Sequence, residues 1–125
     1  MTLTEQPMGR ERRRSDQVTA KILVIEDDRE MAAMLRALLE PRGYAVRVAY
    51  DGLAGLAAAQ AESFDLVTLD LALPGMNGDD LLAILRQDKR TAGVPVLVLT
   101  GRSDASLRVR LFELGVDDYL VKPAT

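Results

Sequence analysis

Four apolar runs in this chain each end in a charged or hydroxyl side chain. Ile22-Leu23-Val24-Ile25 leads into Glu26-Asp27-Asp28, and Phe64–Leu69 leads into Asp70. Val94–Leu99 leads into Thr100, and Tyr119-Leu120-Val121 leads into Lys122. Short β-branched-rich runs of this kind read as buried strands. If the strands are parallel, the four polar ends converge at the carboxyl edge of one sheet, where open α/β sheets bind ligands.

The segments between the runs favour that arrangement. Met31, Met34, Leu35, Leu38 and Leu39 follow the spacing of an amphipathic helix. Asp27, three before Glu30, is expected to cap it, and Pro41-Arg42-Gly43 to stop it. Tyr44–Ala49 alternates as a half-exposed edge strand would. Leu53–Ala61 predicts a short alanine-rich helix and Asp79–Asp88 a third. Leu107, Leu111 and Leu114 form one stripe of a fourth, capped by Ser103 or Asp104 and closed by Gly115. Strict β-α alternation predicts a doubly wound parallel sheet with right-handed crossovers. Its common strand order, 2-1-3-4-5, sets the first and third strands side by side.

Composition narrows the chemistry. The 125 residues contain no Cys and no His. Disulfides, thiol nucleophiles, zinc–thiolate sites, His–Asp triads and an internal phosphohistidine are therefore excluded. No apolar stretch has the length of a membrane span, and no signal-peptide core opens the chain. Residues 1–20 hold Arg10, Arg12, Arg13 and Arg14 against Glu5, Glu11 and Asp16, and show no helical or strand period. They are read as a disordered basic arm ahead of one domain over 21–125.

Clustered carboxylates from Glu26, Asp27 and Asp70 repel unless a cation sits between them. Hard oxygen ligands suit Mg²⁺, which binds through a few carboxylates and a phosphate. Lys122 and Thr100 at the same edge offer an ammonium and a hydroxyl to phosphoryl oxygens. Neither Gly-x-Gly-x-x-Gly nor a Walker loop follows any strand, so nucleotide binding is not expected.

Glu26-Asp27, Asp70, Thr100 and Lys122-Pro123, with Leu73-Pro74-Gly75-Met76-Asn77-Gly78 after the central Asp, resemble the receiver domain of two-component response regulators. The resemblance runs from about Lys21 to Thr125 and implies a flavodoxin-like fold. It implies that Asp70 accepts a phosphoryl group from a sensor histidine kinase. Glu26, Asp27, Asp70 and the Ala72 backbone carbonyl would hold Mg²⁺, while Thr100 and Lys122 bind phosphoryl oxygens. Tyr119 would move inward when Thr100 shifts, and the fourth helix and fifth strand would report the change. The Lys122–Pro123 peptide would be cis. Ala72 and Arg102 occupy positions linked to dephosphorylation rate. Gly115-Val116-Asp117-Asp118-Tyr119 resembles the segment through which winged-helix transcription regulators dimerise, with Asp117 and Asp118 as contacts. A cytoplasmic switch follows, with self-phosphorylation and autodephosphorylation as its only chemistry and no membrane or nucleic-acid contact by the receiver.

Receivers normally carry a fifth helix after Lys-Pro; here Ala124 and Thr125 follow. Burying four large apolar side chains contributes roughly 6–12 kcal/mol, comparable to the ~5–15 kcal/mol stability of a domain. An exposed apolar patch on the last two strands is therefore expected. It would be covered by a further part of a longer regulator with an effector domain, or by a second copy. Two other functions compete. A phosphorylation-independent interaction module would keep the fold without the chemistry. A phosphatase of the haloacid dehalogenase type would need Asp-x-Asp where this chain reads Glu26-Asp27-Asp28.

Overall fold

The computed structural model describes residues 19–101 and 104–122. Among the described residues five strands and four α-helices alternate, with one short 3-10 turn at Glu40–Arg42. β1 (Lys21–Ile25), β2 (Ala45–Ala49), β3 (Leu66–Asp70), β4 (Val96–Thr100) and β5 (Asp118–Val121) form one sheet. α1 (Arg29–Leu39), α2 (Gly52–Ala61), α3 (Gly78–Gln87) and α4 (Ala105–Glu113) connect them. The sheet order is β2-β1-β3-β4-β5, and every pairing is parallel. The register sets Ile25 beside Leu69, Asp70 beside Leu99 and Thr100 beside Val121. This register brings the polar strand ends to a common edge.

The apolar runs bury because both faces of a central parallel strand are covered. One face carries the main core: Leu23, Ile25, Val67, Leu69, Val96 and Val98 meet Leu81, Leu82 and Leu85 of α3 and Leu107 and Leu111 of α4. α2 approaches β1 so closely that a Cβ on Gly55 would lie 2.6 Å from the Ile25 side chain. The other face is thinner. α1 lies against β1 and β2 and buries only Ala32 fully. Met34 and Leu38 of its predicted stripe stay 47% and 49% exposed.

The apolar exposure expected on the last two strands is confined to β5. Leu120 and Val121 are exposed, whereas β4 is flanked by two strands and keeps Val96, Val98 and Leu99 buried. The cap of α1 also differs from expectation. Asp28, not Asp27, accepts from the Glu30 and Met31 N–H groups. One extra residue between strand and helix frees Asp27 from capping. Asp104 caps α4 by accepting from the Leu107 N–H. β2 is an edge strand with alternating exposure, as its sequence predicts. Ala20, assigned above to the arm, already accepts from the Ala45 N–H and so belongs to the sheet edge. Residues 1–18 with their arginine cluster, Arg102, Ser103 and the Lys122–Pro123 peptide lie outside the described residues. Among the described residues, no helix is long and apolar enough to cross a membrane.

Candidate functional site

The strand ends build one acidic pocket. Glu26 and Asp27 leave β1, Asp70 ends β3, and one carboxylate oxygen from each lies within 4.8 Å of the others. Glu26 is 1% exposed and Asp70 5%, while Asp27 faces outward. Lys122, directly after β5, reaches back across the edge. Its Nζ stands 2.9 Å from Glu26 Oε1 and 3.3 Å from Asp70 Oδ2. Its own N–H donates to the Thr100 carbonyl at 2.7 Å, which docks the end of β5 against the buried Thr100.

Local hydrogen bonds fix the acids. Glu26 Oε2 accepts from the Asp28 N–H at 3.1 Å, tying the carboxylate to the start of α1. Asp70 Oδ1 accepts from the Ala72 N–H at 3.1 Å, so the loop after β3 curls back over the carboxylate. Gly78 holds that loop down. Its N–H donates to the Leu71 carbonyl, and a Cβ there would stand 2.5 Å from Leu71 Cα and 2.8 Å from the Asp70 carbonyl oxygen. Only a residue without a side chain lets α3 start this close.

The electrostatics are strained in one direction. Burial pushes the Glu26 carboxyl above its ordinary value, and the Asp70 charge adds to that; Lys122 and the Asp28 N–H pull it down without prevailing. Burial opposes the Lys122 ammonium, but Glu26 and Asp70 outweigh it and hold the lysine pKa up. One ammonium thus faces a group of three carboxylates. Glu26 Oε1 is buried with Lys122 as an ion-pair neighbour but without a well-directed hydrogen bond. A surplus of hard, partly desolvated oxygens with spare acceptor capacity fits a small divalent cation.

Tyr119 lies at the side of this edge, half-buried against α4. Asp118 accepts from the Tyr119 N–H. Asp117, expected at a contact to a second copy, stays exposed and also bonds within the chain: its Oδ2 accepts from the Val96 N–H at 2.7 Å and from Arg86 Nη2 at 3.0 Å. Arg86 was not singled out by sequence. It donates to the carbonyls of Gly115, Ala92 and Val94 as well, and joins the ends of α3 and α4 to the approach to β4. An arginine near a helix end carries no sequence signal for such a role. The sequence marks Gly78 only as part of a turn-rich stretch.

Residues 22–125 match the family model described as the response regulator receiver domain. The chain is 43% identical over 108 residues to the DNA-binding response regulator MtrA of Mycobacterium tuberculosis, covering 86% of this chain and 46% of that protein. It is 47% identical over 103 residues to the transcriptional regulatory protein CpxR of Escherichia coli, covering 82% of this chain and 43% of that protein. The chain therefore spans about half the length of the curated relatives it matches. Among solved structures, the chemotaxis protein CheY4 of Vibrio cholerae superposes with a TM-score of 0.81 at 30% identity, covering 86% of this chain and 90% of that one.

Proposed function

This chain belongs to the receiver-domain family of two-component response regulators, and we propose that Asp70 is the residue through which it is switched. The observation that carries the assignment is Lys122 bridging Glu26 and Asp70 at the centre of the acidic pocket. An Asp70 oxygen attacks the phosphorus of a phosphohistidine on a sensor kinase, or of a small acyl phosphate. The bond to the donor atom breaks, and an aspartyl phosphate forms. Water later attacks that phosphorus and returns free phosphate and the carboxylate. The chain contains no His, so the donor is another molecule.

Glu26, Asp27, Asp70 and the Ala72 carbonyl would hold Mg²⁺. When bound, the ion neutralises charge on the phosphoryl oxygens. Lys122 holds one phosphoryl oxygen by its charge, and the Thr100 hydroxyl donates to another. An acyl phosphate adds up to about two negative charges at the strand edge. Thr100 then moves toward it, Tyr119 follows, and the α4–β5 surface changes. The relatives are named as DNA-binding and transcriptional regulators. The corresponding reading here is a cytoplasmic switch that drives a winged-helix effector, with Asp117 and Asp118 on the face where two copies meet.

Acetyl phosphate with Mg²⁺ should add one phosphoryl mass to the protein and none to Asp70→Asn. Beryllofluoride with Mg²⁺ should bind to the parent alone. An unchanged parent mass, together with no beryllofluoride binding, refutes the reading and favours the phosphorylation-independent module.

A further inference from the structure

Tyr119 is held by contacts from α4 that the phosphoryl chemistry does not require. Arg108 Nε donates to the Tyr119 hydroxyl at 2.8 Å, and its guanidinium carbon stands 5.8 Å from the ring centroid. One helical turn on, Phe112 meets the same ring edge to face, with centroids 6.3 Å apart and planes at 77°. Arg108 and Phe112 sit four residues apart, so both project from one side of α4. Together they grip the ring at its tip and its flank.

The helix that carries this grip borders open space at its start. A cavity of about 590 Å³ opens between the loop after β3 and the start of α4, walled by Ala72, Asn77, Asp79, Thr100 and Leu107 among others. Across it, Arg110 Nε pairs with Asp79 Oδ2 at 3.2 Å and links α4 to the first turn of α3. Beside the phosphoacceptor loop the outer side of α4 is thus tied by an exposed ion pair across a gap, while Leu107 and Leu111 on its inner side pack in the core.

We infer that Arg108 is a positioning residue: its bond to the Tyr119 hydroxyl latches the ring in the resting arrangement and lowers the population of the phosphoryl-competent one. The inference rests on the reading of Thr100 and Tyr119 as the switch. A ligand that binds a minor state is weakened by the fraction of protein in that state. Releasing the latch therefore tightens binding without touching the acidic pocket. One hydrogen bond from a partly exposed guanidinium sets the size of the gain, roughly 2- to 10-fold.

The test uses Tyr44→Phe/Tyr50→Phe as background, which leaves Tyr119 as the sole tyrosine in a chain without tryptophan. In the absence of ligand, Arg108→Met should lower the fluorescence anisotropy of Tyr119. It should also tighten beryllofluoride binding in Mg²⁺ by roughly 2- to 10-fold. Tyr119→Phe, followed by ¹⁹F resonance of bound beryllofluoride, should gain similarly. Arg108→Met/Tyr119→Phe should gain no more than either change alone, because both remove one contact. Unchanged anisotropy and affinity in Arg108→Met, or gains that add in the double variant, overturn the latch. A parent that fails to bind beryllofluoride instead overturns the switch reading beneath it.

Discussion

Gly78→Ala tests whether the pocket depends on how closely α3 approaches the strand edge. The added Cβ would meet Leu71 Cα at 2.5 Å and the Asp70 carbonyl oxygen at 2.8 Å. Ordinary contact begins at 3.4 Å, so the two backbones must part by about 0.9 Å (3.4 less 2.5). Both close atoms belong to the main chain, and no rotamer change relieves them. Overpacking of this kind costs about 3 kcal/mol at the upper end of its usual range. Replacing glycine in the first helical turn returns up to about 1 kcal/mol, so a net loss of about 2 kcal/mol is expected. For a domain of this size the melting temperature should fall by roughly 8–16 °C. Because the displaced atoms include the Asp70 carbonyl and the residues before Ala72, Mg²⁺ and beryllofluoride affinity should fall too. Gly93→Ala is the control: its Cβ would meet nothing within 4 Å and its φ is not positive. It should be neutral or slightly stabilising. Calorimetric melting and beryllofluoride titration of the two variants give the comparison. Equal stability and equal affinity in Gly78→Ala and the parent would refute the argument.

Two further outcomes follow from the electrostatics. Glu26→Gln removes a carboxylate whose charge is opposed by burial, so in EDTA the variant should melt no lower than the parent. A raised folded pKa also means that the parent's EDTA stability falls as pH rises from the ordinary glutamate value through the folded one. In Mg²⁺ at a hundredfold its dissociation constant the parent should gain about 2.7 kcal/mol, and Glu26→Gln should lose most of that gain; thermal melts with and without Mg²⁺ check both signs. Arg86→Met removes the donor shared by three carbonyls and Asp117 and should cost about 2 kcal/mol in urea unfolding, the scale of a charged hydrogen-bonding group. Mg²⁺ affinity should stay the same in that variant.

The strands were legible because each central one is buried on both faces and therefore reads as an unbroken apolar run; Ile22–Ile25 and Val96–Leu99 are cases in point. The pocket was legible for a related reason. A parallel sheet converts four separate places in the chain into neighbours, so the residue after each run is a candidate by position alone. What escaped were features that depend on one residue of offset or on long side chains. Asp27 and Asp28 are equivalent as cap formers on paper, and only the turn out of β1 assigns the cap to Asp28. The α1 stripe predicts a buried face, yet Met34 and Leu38 face outward because, among the described residues, no second helix packs beside α1 on its face of the sheet. Arg86 and Arg108 reach partners 31 and 11 residues away. Helical periodicity carries no information at that range.

Lys122 supplies the counter-charge from the end of β5, whereas the acids come from β1 and β3. Domains emerge from the ribosome amino end first. The counter-charge is therefore the last part of the pocket to be synthesised. The ammonium is carried to Glu26 and Asp70 by the pairing of β5 with β4. The same pairing that closes the edge of the sheet therefore also completes the charge balance of the pocket.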